Sequence, residues 1–255
     1  MSNIIFGSAR IDENGKEYGG AAGDQKQTEA PDFKGEVSME GWYNHPLGWY
    51  VFRANDPEAR EKIAENMRAA CNNKNVGYNQ HANQTLYQAA SKVGFDISKV
   101  TAPCNTDCAR LTRVCVLYAG INCADFYTAT EPAALQQTGA FTWFKDEEHC
   151  AKPDLLLKGD ILVTRSKGHS VVVVDGPTVS REAPYGYIRT LASVHIRKAP
   201  RLDGESLSIV SRDNVFIFTG CQGIDTRGKL WYEVVINHKN GYGWISSTYA
   251  RREET

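Results

Sequence analysis

Two residues offer this sequence its most direct chemistry: Cys108 in Asn105-Thr106-Asp107-Cys108, and His169 in Gly168-His169-Ser170-Val171. Leu111, Cys115 and Tyr118 recur at helical spacing on the face of Cys108, Asn105 or Thr106 can cap the helix, and Gly120 stops it. The thiol therefore falls in a first helical turn. There the unpaired N–H groups and the dipole favour an anion, which lowers a thiol pKa, and the same groups can face the oxyanion formed when a thiolate attacks an amide. A cysteine nucleophile also needs a base that takes its proton and returns one to the leaving amine. His169 is the best placed of six histidines, because it opens a valine-rich strand after a glycine-containing turn and so emerges at a sheet edge. His149 reads as part of an exposed acidic stretch, His45 precedes Pro46, and His195 and His238 lie in a β-rich C-terminal part. By itself, a cysteine such as Cys108 is more often a buried structural thiol.

The surrounding pattern supplies elements to hold these residues. Residues 1–55 are rich in Gly, Asp, Asn and aromatics and read as loops with one or two short strands. Asp56-Pro57-Glu58 starts a helix with Ala59, Ile63, Met67 and Ala70 along one face, and a second helix covers Gln84 to Val93, closed by Gly94. After a mixed segment around Phe141 to Phe144, the pattern becomes β at Asp160 to Thr164, turns at Ser166-Lys167-Gly168, and resumes from His169 to Asp175. The unbroken valines predict a strand buried on both faces. Gly176 to Gly186 has linker composition; beyond it lie strand candidates at Ser193–Arg197, Val215–Thr219, Leu230–Ile236 and Gly243–Ser246. The expected organisation is α+β over residues 1–180, followed by a small all-β domain over 188–255.

Composition narrows the partners. The charges nearly cancel, 29 basic against 30 acidic, so no overall field draws the chain to nucleic acid or an anionic membrane. No basic stretch with an apolar run opens the sequence and no run of about 20 apolar residues occurs, which predicts neither a signal peptide nor a membrane span. Seven cysteines show no pairing pattern and read as free thiols. A zinc site from Cys104, Cys108, His149 and Cys150 is disfavoured, because neither pair has the spacing that closes adjacent ligands on one metal.

Asn105-Thr106-Asp107-Cys108-Ala109-Arg110-Leu111, Lys158-Gly159-Asp160-Ile161-Leu162-Val163 and Gly168-His169-Ser170-Val171-Val172-Val173 resemble the nucleophile helix, the GD strand and the histidine strand of NlpC/P60 and CHAP-type peptidoglycan hydrolases. The resemblance covers roughly residues 75–175. Gly19 to Gln25 is similar to a segment of phage endolysins of this type. Val194-His195-Ile196-Arg197-Lys198-Ala199-Pro200, Trp231 to Val234 and Gly241 to Ile245 are similar to a bacterial SH3 module. The resemblance implies a papain-like catalytic domain with Cys108 as nucleophile and His169 as base, followed by an SH3-like barrel that binds the wall. No metal or organic cofactor is implied. The implied partner is peptidoglycan of a Gram-positive wall, cut by a monomeric phage-type enzyme made in the host cytoplasm and acting after release.

Two departures qualify the resemblance. Ala109-Arg110 stand where the family has small hydroxyl residues, which removes a helper hydroxyl and puts a cation near the site. Asp175 cannot orient His169, since six residues of strand separate them by about 20 Å. Tyr78, Asp107, Asp24 and Gln25 are the candidates for substrate contact: Tyr78 stands where the family often has a tyrosine near the site, and Asp24 and Gln25 follow a glycine cluster that lets backbone approach a ligand. Each also has a plainer reading, Tyr78 as packing, Asp107 as helix-start charge, and Asp24 and Gln25 as a turn. Trp42, Tyr43, Trp49 and Tyr50 are either a sugar groove or core. The expected activity is amide hydrolysis in the peptide stem, as an N-acetylmuramoyl-L-alanine amidase or a D,L-endopeptidase. A cysteine acyl- or amidotransferase and a non-catalytic wall-binding adaptor are the alternatives.

Overall fold

The computed structural model describes residues 4–166, 168–176, 185–237 and 241–253. Most of the expected linker at 176–186, Lys167 of the expected turn, and His238 lie outside the described residues.

A six-stranded antiparallel sheet carries the first part of the chain. Its strands are β1 (Ile5–Ala9), β2 (Val37–Gly41), β3 (Trp49–Ala54), β6 (Phe141–Phe144), β7 (Ile161–Thr164) and β8 (Ser170–Asp175), in the order β2-β1-β8-β7-β3-β6. A two-stranded parallel pair, β4 (Val76–Tyr78) and β5 (Cys104–Thr106), stands apart from it. The helices are α1 (Pro57–Cys71), α2 (Thr85–Ser91), α3 (Cys108–Tyr118), α4 (Glu131–Gln137) and α5 (Glu147–Cys150).

The valine run explains why β8 is central. Val172 and Val174 pack with Ile63 and Met67 of α1 and Leu111, Val114 and Cys115 of α3, while Val171 and Val173 pack on the other face with Phe6, Trp49, Val51 and Leu162. All four valines are fully buried, each worth about 1.5–3 kcal/mol of apolar burial. The N-terminal region, expected to be mostly loop, contributes three strands, with β1 pairing β8 on one side and β2 on the other. The pattern of β1 conceals this because both its faces are covered. Phe6 enters the aromatic face, whereas at Gly7 a Cβ would sit 2.7 Å from Met67 Cγ, so α1 lies against bare backbone.

The C-terminal strands are β9 (Tyr187–Thr190), β10 (Val194–Arg197), β11 (Ser206–Val210), β12 (Val215–Ile224), β13 (Leu230–Asn237), β14 (Gly241–Ser246) and β15 (Ala250–Glu253). They form one sheet in the order β11-β10-β14-β13-β12-β9-β15 around Ile188, Ile196, Phe218, Val234 and Ile245. The expected β-domain strands are all present; β9, β11 and β15 are additional.

Buried charge joins the two parts. Arg53 on β3 donates to both carboxylate oxygens of Asp160, at 2.7 and 2.6 Å, and to Cys221 Sγ of β12 at 3.1 Å. Arg60 on α1 reaches Glu233 of β13 at 3.5 Å, and Leu157 packs with Cys221, Trp231 and Trp244. The Gly159-Asp160 pair thus has a structural meaning. Asp160 neutralises Arg53, and Gly159, at φ +87°, lies where a Cβ would be 2.3 Å from the Arg60 carbonyl oxygen.

Candidate active site

Cys108 is the first residue of α3, delivered by β5 through a single capping residue. That cap is Asp107, whose carboxylate accepts the Arg110 N–H at 2.8 Å and an Asn83 amide hydrogen at 2.6 Å. Asn105 and Thr106, the expected caps, instead belong to β5. The Asn105 side chain is committed to the 21–23 loop, donating to the Ala21 carbonyl and accepting from the Gly23 N–H.

The backbone N–H groups of Ser170 and Ala109 lie close enough to the Cys108 sulfur to favour its anion. This brings the nucleophile candidate to the residue that follows His169. The helix start does not win the contest over the thiol pKa, as the sequence reading expected. Burial pushes the Cys108 thiol up, the charge of Asp107 pushes the same way, and the two N–H groups offset only part of it.

His169 precedes β8 and is half-buried. Thr164 holds its backbone: the Thr164 N–H donates to the His169 carbonyl at 3.0 Å, and the His169 N–H donates to Thr164 Oγ1 at 3.0 Å. Burial pushes the ring down to about 4, with the neighbouring charges of His45 and Arg10 adding to the effect. The resting pair is therefore a neutral thiol and a neutral imidazole.

His169 lines an open pocket of about 480 Å³ together with Arg10, Ile11, Glu40, Tyr43, His45 and Pro46. Arg10 pairs with Glu40 at 3.2 Å, and burial raises the Glu40 carboxyl against that pairing. His45 accepts the Leu47 N–H on Nδ1 at 3.1 Å, so its neutral ring carries its hydrogen on Nε2, and its edge rests on Trp49 with ring centroids 5.1 Å apart. Tyr43 and Tyr78 both lie in the neighbourhood of Cys108 and have phenols raised chiefly by burial.

The other expected site residues sort unevenly. Tyr78 is buried, and its hydroxyl accepts from Gln80 Nε2 at 3.0 Å. Asp24 is buried and spends its carboxylate on the N–H groups of Lys26, Gln27, Glu36 and Val37, while the Gln25 amide donates to Ala22 and Gly23 carbonyls. Both shape the loop that lies over β4 and β5. Asp175 pairs with Arg68 at 3.6 Å, at the end of β8 away from His169. Arg110 turns to Asp125 at 3.2 Å, and Ala109 is buried. Of the aromatic quartet, Tyr43 lines the pocket, whereas Trp49 is fully buried. His149 is not exposed, since it stacks on Phe144 with centroids 4.0 Å apart and its Nδ1 contacts Asp146 at 2.7 Å. Among the described residues no group of three His, Cys, Asp or Glu side chains is placed to hold a metal ion.

Sequence reasoning passed over Arg10, Glu40, His45 and Glu131. Only His45 left a signal, a histidine set among Trp42, Tyr43 and Trp49.

Residues 6–179 match the family of endolysin-like domains, and residues 192–250 match the bacterial SH3 domain. The first match spans more than half of the chain, and the protein belongs to the endolysin-like domain family. An endolysin-like domain followed by a bacterial SH3 domain is the composition of a lytic enzyme that acts on cell walls. Comparison with curated proteins and with solved structures finds no match.

Proposed function

We propose that this protein hydrolyses an amide bond of the peptidoglycan peptide stem through a thioester on Cys108, with His169 as the base of a papain-like site. The observation that carries the reading is the tie between α3 and β8, in which Thr112 Oγ1 lies 3.0 Å from the Cys108 carbonyl oxygen and 3.1 Å from Ser170 Oγ, next to the His169 that lines the pocket. His169 takes the thiol proton as Sγ bonds to the amide carbonyl carbon. The Cys108 N–H, at the first helical position and without an intrahelical acceptor, faces the resulting oxyanion. As the intermediate collapses, the C–N bond breaks and His169 returns its proton to the leaving amine. Water then adds to the thioester with its proton passing to His169, the C–S bond breaks, and the thiol is released with the carboxylic acid of the acyl side, which is muramoyl for the amidase reaction and stem peptide for the endopeptidase reaction.

The endolysin-like domain, a lytic module, favours hydrolysis over transfer to a second amine. Within hydrolysis the reading leans to the N-acetylmuramoyl-L-alanine amide over the D,L-linkage. The SH3 domain holds the enzyme on a Gram-positive wall after release from the cell that makes it, and the enzyme works as a monomer without a cofactor. Clearing of a Gram-positive wall suspension, lost in Cys108→Ala, with mass spectrometry of the products, tests this. Clearing by Cys108→Ala as fast as by the parent protein would refute it, and amine adducts in place of free stems would turn it to transfer.

A further inference from the structure

Against Ser170 lies a buried carboxyl group that the mechanism above does not use. Glu131 opens α4, is wholly enclosed, and has no partner cation among the described residues; burial, helped by the charge of Asp107, holds its carboxyl well above the usual range. Its Oε1 is 2.7 Å from Ser170 Oγ, and its Oε2 has no hydrogen-bond partner among the described residues. Ser170 Oγ is 3.1 Å from Thr112 Oγ1, which is 3.0 Å from the Cys108 carbonyl oxygen.

These three contacts in series need three hydrogens. The two hydroxyls bring one each. With a carboxylate at Glu131 one contact would set lone pair against lone pair. With a carboxylic acid the count closes: Glu131 donates to Ser170, Ser170 to Thr112, and Thr112 to the Cys108 carbonyl. An uncharged acid also accounts for a wholly buried carboxyl with no partner cation.

We infer that Glu131 is an uncharged positioning residue for the Cys108–His169 pair, whose acid hydrogen starts a hydrogen-bond chain that ties the Cys108 backbone on α3 to Ser170 on β8. The chain fixes the sulfur against the strand that His169 precedes. This rests on the dyad reading above, and it assigns Glu131 no contact with substrate.

The test measures kcat and KM for wall hydrolysis, and peptide-resolved iodoacetamide labelling of Cys108 against pH, in Glu131→Gln and Glu131→Leu. Gln keeps the shape and an N–H for Ser170, so kcat stays within about threefold and the pH midpoint of labelling does not move. Leu breaks the chain, and kcat falls about 10- to 100-fold with KM nearly unchanged, the scale expected when a reacting group is displaced by about 1 Å. A Gln variant as impaired as Leu, or one whose labelling midpoint drops because a buried negative charge has gone, overturns the inference. So does a folded Leu variant with parental kcat. If the Leu variant does not fold, Thr112→Val cuts the last link at almost constant volume and must show the same loss of kcat. Failure of the dyad is separately visible, because Cys108→Ala would then retain hydrolysis, while the labelling midpoint still reports whether Glu131 is charged beside the thiol.

Discussion

Enzymatic activity of this protein should persist well into acid, because the base is stored neutral. The His169 ring sits at about 4 where an ordinary histidine titrates at 6.5, with burial the main cause and His45 and Arg10 adding to it. A ring with that value is about 97% neutral at pH 5.5, whereas an unperturbed ring is about 9% neutral, so roughly tenfold more base is available. The acid limb of kcat/KM for wall hydrolysis should therefore fall between pH 4 and 5. The same shift has a stability counterpart with a definite sign. A folded-state value below the unfolded one means that the unfolded chain takes up the proton first, so the contribution is complete above 6.5 and is lost as pH falls from there toward 4. At about 1.4 kcal/mol per pH unit the full effect is on the order of 3 kcal/mol. It should appear as the part of the acid destabilisation that His169→Gln abolishes, measured by urea unfolding at pH 7 and pH 4.5. An acid limb of kcat/KM near 6.5, or an NMR titration of the His169 ring near that value, would refute the reasoning.

Two further outcomes follow from the buried charges around Asp160. Arg53→Met should leave Asp160 enclosed without its partner and cost about 3–5 kcal/mol, a loss of roughly 10 °C in thermal midpoint followed by tryptophan fluorescence; a loss below about 1 kcal/mol would show that water or a proton replaces Arg53 without difficulty. Gly159→Ala combines a left-handed backbone with a Cβ pressed on the Arg60 carbonyl, and should cost about 3 kcal/mol or more in urea unfolding, most of it recovered by no single change in a neighbouring side chain, since the obstacle is backbone.

What the sequence disclosed and what it hid divide along the range of the interactions. The first turn of α3, the paired strands β7 and β8, and most strands of the C-terminal sheet were legible because local spacing fixes them: Leu111 and Cys115 on one helix face, four valines in a row, a glycine-bearing turn before His169. The cap was misassigned by two residues at most, since Asn105, Thr106 and Asp107 all have capping side chains and only the tertiary claim of the 21–23 loop on Asn105 separates them. The resting protonation states were not legible at all. A helix start favours a thiolate, but the cost of burying that charge depends on enclosure, which no local pattern records.

The pocket was hidden for the same reason, and its composition bears on how the site was assembled. β1 and β2 come from the first 41 residues yet lie on one side of β8, β1 next to it and β2 beyond, so Arg10 and Glu40 arrive beside a histidine far along the chain. In a sheet ordered β2-β1-β8-β7, the strand next to the histidine strand on its outer side is the N-terminal one. Any polar group that orients His169 from that side must then come from β1, β2 or the segment after β2, and not from a strand that follows β8 in sequence. Tyr43 and His45 lie on that segment and Arg10 directly follows β1, which explains why a search downstream of His169, ending at Asp175, meets only a surface ion pair with Arg68.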